Sequence, residues 1–487
     1  MSRGSRQDRR SLGRRAVLGG IGGAALLSMG GASPMAARAR MRRVRMDAAG
    51  SEGWAAVPHI LERIVRPRFA ARDFEITRFG AKGDGLTDAR AAINAAIDAC
   101  SAAGGGRVVV PPGTFLSNGP LRLKSNVNLF LDGSTVKFST RPSDYLPMVL
   151  VRWEGTRCYN YSPLVYALRE KNLAITGTGT LDGQADVPGS GWWRIVEKPS
   201  GGGRSREDLR SMGRTLVPVE NRLFGDASTL RPSLLQTYEC ANLLLEGVTL
   251  ANPPFWTLHP TFTTNITVRK VTMRGHQPHT MPNDDGFVAD SCRDVLVENC
   301  TFDVDCDNVS IKAGRDNDAW NGMSCERVVV RNSTFVRGCG VIVVGSEVSG
   351  GVRDIFCENN VAAGPRYGIY VKSNAHRGGV VERLFVRKHT FKQVEDCIRF
   401  ESNFMNMHTQ IRLTPFRDIQ FDDVTCGRAT DNGIRSEGIA QHPMERIGFR
   451  NVTIDGARIG LALDDTRPFT FDNVTINGVL VSPQARR

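Results

Sequence analysis

The sequence predicts an all-β fold, a parallel β-helix whose short strands stack coil upon coil, with a helix closing its N-terminal end. Three observations carry this reading. Short β-branched runs recur through the C-terminal half, at residues 265–268, 294–297, 327–330, 354–357, 383–386, 418–421 and 446–449. Counted from the first apolar residue of each, the steps are 29, 33, 27, 29, 35 and 28 residues. Each run is followed by a polar corner and a second short strand, as in Glu298-Asn299-Cys300-Thr301-Phe302. Strands this short cannot bury a face alone, so stacked neighbours must supply the core. Asn at the corners tolerates left-handed backbone and can hydrogen-bond along the stack. The Asn-x-Thr triplets are therefore read as corners, not as glycan acceptors. A two-sheet sandwich would show hairpin turn signals about every 8–12 residues, and few are present.

Taken in order, residues 1–39 are read as a removable export signal of the Tat type. A basic segment ends in Arg14-Arg15, an apolar stretch runs from Ala16 to Met29, and Ala37-Arg38-Ala39 offers a cleavage site. The apolar stretch is short of the roughly 20 residues that span a bilayer. Residues 40–70 read as a loosely ordered connector, and 71–487 as one β-helix domain. Its entrance is the Gly-rich turn Phe79-Gly80-Ala81-Lys82-Gly83-Asp84-Gly85. A helix over 89–103 follows, with Ala92, Ile93, Ala96, Ile97 and Cys100 on one face. Gly104-Gly105-Gly106 ends it, and Arg107-Val108-Val109-Val110 begins the first strand. The turn lacks the Gly-Lys-Ser/Thr ending of a phosphate loop. Residues 186–229, rich in Gly, Ser and Arg, read as an extended loop near the groove.

The chain has 487 residues and a net charge of +13, which falls to about +7 without the first 39 residues. A moderately basic exported protein suits a polyanionic partner. No basic run or aromatic-interleaved basic motif points to nucleic acid, so an acidic polysaccharide is the expected partner. No later segment is apolar enough to cross a membrane, so the mature protein is expected to be soluble and periplasmic or secreted. The 11 cysteines include no CxxC pair and no zinc-like Cys/His spacing. Most are expected to be small core residues, notably Cys292, Cys300, Cys325, Cys357 and Cys426. Neither metal nor cofactor is expected.

Seven motifs in order resemble glycoside hydrolase family 28, the polygalacturonase-like pectinases, from about Phe74 to the C-terminus. Besides the entrance turn they include Gly177-Thr178-Gly179-Thr180-Leu181-Asp182-Gly183 and Asn252-Pro253-Pro254-Phe255-Trp256. Further on come Asn283-Asp284-Asp285-Gly286, Ile311-Lys312-Ala313-Gly314-Arg315-Asp316, Gly345-Ser346-Glu347-Val348 and Val371-Lys372-Ser373-Asn374. The resemblance implies a right-handed parallel β-helix, a working monomer, and hydrolysis of α-linked galacturonan or a related pectic chain with inversion.

Inverting hydrolysis needs one carboxyl to protonate the leaving oxygen and another to activate water on the opposite face. The resemblance places the Asn-x-Asp carboxylate at Asp285 and the second aspartate of an Asp-Asp pair at Asp307, both water-activating. The general acid falls on Cys306, and the histidine of a Gly-His-Gly motif falls on Cys339. The Arg-x-Lys pair becomes Tyr370-Val371-Lys372, keeping only the lysine that binds a substrate carboxylate. Three readings of the cysteines stand side by side. Asp305 supplies the missing acid, Cys306 is itself the donor, or Cys306 and Cys339 pair as a disulfide and leave a carbohydrate-binding relic. Lys312, Arg315, Lys372 and Arg377 are candidates to pair with uronate carboxylates. Asn283, Tyr370, Trp256 and His259 complete the candidate substrate contacts. Glu347 reads as a structural acceptor, and His276 and His279 as residues within reach of the cleft. The leading function is an exported inverting hydrolase of galacturonan. The alternatives are a catalytically impaired pectin-binding protein and a calcium-dependent lyase using Asp285, Asp305 and Asp307.

Overall fold

The computed structural model describes residues 53–185, 191–192, 195, 205–226, 228–275, 282–406, 412–439, 444–464 and 469–481. They belong to the second of two units, Ser51–Arg487, the first being Met1–Gly50. The expectations for 1–39, for 40–52 and for His276 and His279 lie outside the described residues.

The seven repeated runs are seven successive rungs of a right-handed parallel β-helix. Ile266, Val295, Val328, Ile355, Leu384, Ile419 and Ile447 pair directly, each with the next. All are buried. Leu243 and Leu173 continue the column toward the N-terminus. In-register parallel stacking sets equivalent side chains above one another, so one apolar position per coil builds a continuous core. Aromatic rings stack the same way, as Phe302 does on Phe335 with centroids 5.0 Å apart. A 24-strand sheet carries two strands of each typical coil, and an 11-strand sheet carries the third.

The corners explain the polar punctuation. Asn126, Asn172, Asn242 and Asn265 hold φ of 64°, 55°, 60° and 58°. Each later amide donates to the one before it, at 2.8, 2.8 and 2.6 Å. Beyond Asn265 the same left-handed corner passes to Asp294, Arg327, Asp354, Arg383, Asp418 and Arg446. There arginine pairs with aspartate, Arg327 with Asp294 at 2.7 Å and Arg383 with Asp354 at 2.6 Å. Charge-assisted bonds along the stack offset the cost of left-handed backbone at residues other than Asn. The triplet asparagines Asn299, Asn332, Asn451 and Asn473 also have positive φ, in keeping with corners.

Among the described residues, three α-helices of eight residues or more decorate the solenoid. α1 (Ala56–Arg63) falls within the span 40–70 that the sequence presents as a loosely ordered connector. Its Val57 and Ile60 bury against the outward-facing Leu296, Val329, Phe356 and Phe385, with Trp54 beside them. That outer apolar stripe needs cover, and the amphipathic helix supplies it. α2 (Arg90–Ala102) is the capping helix, buried through the five residues expected. Gly105, at φ 106°, lets the chain turn out of it, because a Cβ there would meet the Asn126 carbonyl oxygen at 2.5 Å. α3 (Arg206–Arg214) lies where an extended loop was expected over 186–229. It opens on a capping box between Ser205 and Asp208. The antiparallel hairpin of Val149–Trp153 and Thr156–Asn160 sits against it.

Candidate active site

The candidate residues lie on four neighbouring coils, flanking four adjacent strands of the 11-strand sheet. Asp285 precedes the strand Phe287–Asp290, Asp307 precedes Val309–Lys312, Cys339 precedes Gly340–Val344, and Lys372 ends Tyr367–Lys372. Main-chain bonds fix their stacking. Gly286 N–H donates to Asp307 O at 2.9 Å, Cys339 N–H to Cys306 O at 2.7 Å, and Tyr367 N–H to Cys339 O at 2.7 Å. Asp285 therefore lies one rung from Asp307, and Cys306 one rung from Cys339.

Lys372 reaches back across the intervening coil and sets its Nζ 3.0 Å from Asp307 Oδ2. Burial works against the lysine's charge, but Asp307, Tyr370 and Cys306 together outweigh it and raise the pKa above the ordinary lysine value. Asp285 is buried, and its Oδ2 accepts from Ser310 Oγ at 3.0 Å. Burial, then the neighbouring Asp307 charge, lift its carboxyl above the usual range. Two carboxyls in one trough thus differ in surroundings, one beside a cation and one held toward its protonated form.

Asp284 is the residue beside the candidate site that sequence reasoning passed over. Its carboxylate accepts from the backbone N–H of Asp305 at 3.0 Å and of Cys306 at 2.8 Å, anchoring the segment that carries Asp307. Burial pushes its pKa up to about 7. The signal available was the doubled Asp284-Asp285, of which only the second residue matched the motif. Gly275 leaves room for it, since a Cβ there would lie 2.0 Å from Asp284 Oδ2.

Asp305 is engaged on the neighbouring coil. Its Oδ1 pairs with Arg337 at 2.5 Å, and Arg337 also holds Asp303. The Cys306 and Cys339 sulfurs are not joined as a disulfide. They and an Asp307 oxygen lie within 4.8 Å of one another. The neighbouring Cys339 thiol, burial and the two aspartates hold the Cys306 pKa well above its ordinary value, which makes it a poor acid. Gly338, at φ 127°, permits the close approach, for a Cβ there would lie 2.6 Å from the Cys306 carbonyl oxygen.

Several expected substrate contacts are engaged within the protein. Lys312 donates to Glu347 at 2.9 Å, and Arg315 bridges Glu347 at 2.6 Å and Glu154 at 3.3 Å. Arg377, only 1% exposed, pairs with Asp316 and donates to Ser346 O at 2.9 Å. These cations differ from the expectation because Glu154, Glu347 and Asp316 neutralise them below the surface. Burial opposes the charge of Glu347, yet Lys312, Arg315 and Arg377 hold its pKa well below the carboxylate range. It is the structural acceptor expected. Trp256 and His259 are also buried, with rings 4.6 Å apart. Lys312 lies 5.2 Å from the Trp256 ring, and His259 contacts Gln236 at 2.8 Å. Tyr370 bonds Glu401 and lies 4.9 Å beneath the Lys372 ammonium. Asn283 is half-buried with φ of 65°, at the turn that delivers Asp284 and Asp285. The structure thus brings Asp285, Cys306, Asp307, Cys339 and Lys372 together and leaves Arg315, Arg377 and His259 beneath the floor.

The chain matches known proteins in this same region. The model of glycosyl hydrolases family 28 matches residues 224–475, and that of rhamnogalacturonase A/epimerase, pectate lyase-like, matches 74–145. A probable polygalacturonase of Vitis vinifera is 28% identical over 399 residues, 79% of this chain and 74% of the relative. An exo-poly-alpha-D-galacturonosidase of Dickeya chrysanthemi is 25% identical over 473 residues, 84% and 75% of the two chains. The solved hyperthermoactive exopolygalacturonase of Thermotoga maritima is 36% identical and covers 87% of this chain, and 96% of its own length is matched, with a TM-score of 0.81.

Proposed function

The chain belongs to glycosyl hydrolases family 28 and is a glycoside hydrolase, and on that premise we propose that it is an exported, inverting enzyme that hydrolyses α-linked galacturonan. The observation that carries the reading is the pair Asp285 and Asp307 on adjacent rungs, with the Lys372 ammonium hydrogen-bonded to Asp307. Asp285 is the proton donor in this scheme, since its raised pKa keeps a proton available for the leaving oxygen. Asp307 activates the water on the other face of the sugar ring. This assignment differs from the water-activating role expected of Asp285. It follows from the loss of a carboxyl at Cys306 and from the engagement of Asp305 by Arg337. Lys372, 3.0 Å from Asp307 Oδ2, orients the Asp307 carboxylate. The same ammonium is placed to attract a uronate carboxylate.

The name of the Thermotoga maritima relative supports release of units from a chain end. The twin arginines Arg14-Arg15 and the apolar stretch after them support export. The deciding experiment is digestion of polygalacturonate with proton NMR of the first product. An inverting exo-enzyme yields the β-anomer of a single short product. An α-anomer as first product discards inversion, and a broad ladder of oligomers discards end-wise action. Export is tested with Arg14→Lys/Arg15→Lys, which should trap the protein in the cytoplasm.

A further inference from the structure

We propose that Cys306, Cys339 and Asp307 form a binding site for a thiophilic divalent cation of the zinc class within the cleft. Among the 11 cysteines, nine are buried, and Cys306 and Cys339 alone are half-exposed. Those two are also neighbours on adjacent rungs, their backbones joined by the 2.7 Å bond from Cys339 N–H to Cys306 O. The two sulfurs and an Asp307 oxygen lie within 4.8 Å of one another.

That spacing suits a tetrahedral ion. Metal–sulfur bonds of about 2.3 Å hold two sulfurs about 3.8 Å apart, so closure from within 4.8 Å needs an approach of at most about 1 Å. Two thiolates and a carboxylate are a donor set that selects zinc-like ions over magnesium or calcium, which take oxygen ligands. Charge also balances. On binding, each thiol releases its proton to solvent, and the three ligands then carry three negative charges. The divalent cation and Lys372, 3.0 Å from Asp307 Oδ2, supply three positive ones. Three protein ligands leave a fourth position for water, and because the ion takes up the Asp307 carboxylate that activates water in the hydrolytic scheme, the metal-bound form is the inactive one. The ligands come from two coils, which is why no sequential cysteine pattern announces them.

The test uses the full mature chain, purified under reductant, without substrate, so that its outcome is independent of hydrolysis. Titration with Co2+ should give a thiolate charge-transfer absorption saturating at one equivalent, and Zn2+ should displace it. Cys306→Ser and Cys339→Ser should each abolish the band and weaken Zn2+ binding by about a hundredfold or more. Zn2+ should raise the thermal midpoint of the wild type and leave both variants unmoved, provided their circular dichroism matches the wild type. Cys357→Ser, a core substitution, controls for general thiol loss. Absence of the cobalt band, Zn2+ binding unaltered in both serine variants, or a Cys306–Cys339 disulfide that survives reductant would each overturn the site.

Discussion

The Lys372 ammonium lies 3.0 Å from Asp307 Oδ2, although the two residues belong to coils separated by a third. Its side chain is 11% exposed and that of Asp307 is 6% exposed, so the pair forms an almost dry bridge over the cleft floor. Opening a trough on a solenoid face exposes little of either group while keeping both in reach of a sugar.

Replacing Lys372 should therefore do two things. Lys372→Met leaves a nearly buried carboxylate without its cation, a change that costs about 3–5 kcal/mol in such settings. The thermal midpoint should drop, and kcat should fall as Asp307 loses its orientation. Lys372→Arg should recover the stability more fully than the rate, since the planar fork does not reproduce the ammonium's position. Equal recovery of both would argue against an orienting role.

Asp285→Asn and Asp307→Asn should each lower reducing-end release by about a hundredfold to ten-thousandfold, the usual worth of a general acid or base. Thermal melts would show whether the variants stay folded. Retention of near-normal rates in either variant would remove that residue from the chemistry.

The pH profile separates the two roles. Because Asp285 must carry a proton to act as donor, and its pKa is raised by burial and by Asp307, activity should decline on the alkaline side as that carboxyl ionises. In Asp285→Asn that alkaline limb should vanish along with most of the rate. A limb unchanged in position in the residual activity would place the donor elsewhere.

Asp284 makes a stability prediction of definite sign. Its folded pKa of about 7 exceeds the unfolded value of about 3.9, so the folded state binds the proton more tightly. The contribution is full below about pH 4 and is lost as pH rises toward 7. Asp284→Asn, which keeps an acceptor for the Asp305 and Cys306 N–H groups, should flatten this decline. Asp284→Ala should destabilise at every pH by leaving those donors unsatisfied. Urea midpoints across the range would measure both.

Glu347→Gln tests the charged floor. It removes the anion shared by Lys312 and Arg315 and leaves their charges partly uncompensated. Stability should fall by about 3–5 kcal/mol, and the loss should shrink if Arg315→Met is added. Additive losses would show that the two do not form one network.

The solenoid was legible because its signal repeats. Ile266, Val295, Val328 and the residues paired after them sit at one apolar position per coil, and the spacing of that position survives variation in loop length. The cap was legible from the 3.6-residue pattern of Ala92, Ile93, Ala96, Ile97 and Cys100. The outer helix α1 was not, because its partners, Leu296, Val329, Phe356 and Phe385, face outward on distant strands. The Asp/Arg corner ladder was likewise hidden, since Asp294 and Arg327 acquire their meaning only when stacked.

In the cleft, sequence alone determined which residue types stand on which turn, including cysteines at two positions where the family resemblance led to Asp and His. Tertiary structure decided what each can do. Arg315 and Arg377, indistinguishable from substrate-binding cations in one dimension, are consumed by Glu154, Glu347 and Asp316. Asp305 is claimed by Arg337, Asp284 is drawn inward as an anchor, and Cys306 comes to rest beside Cys339. The reason is physical: a side chain's charge and proton affinity are set by burial and by neighbours a coil away, and neither quantity is written along the chain.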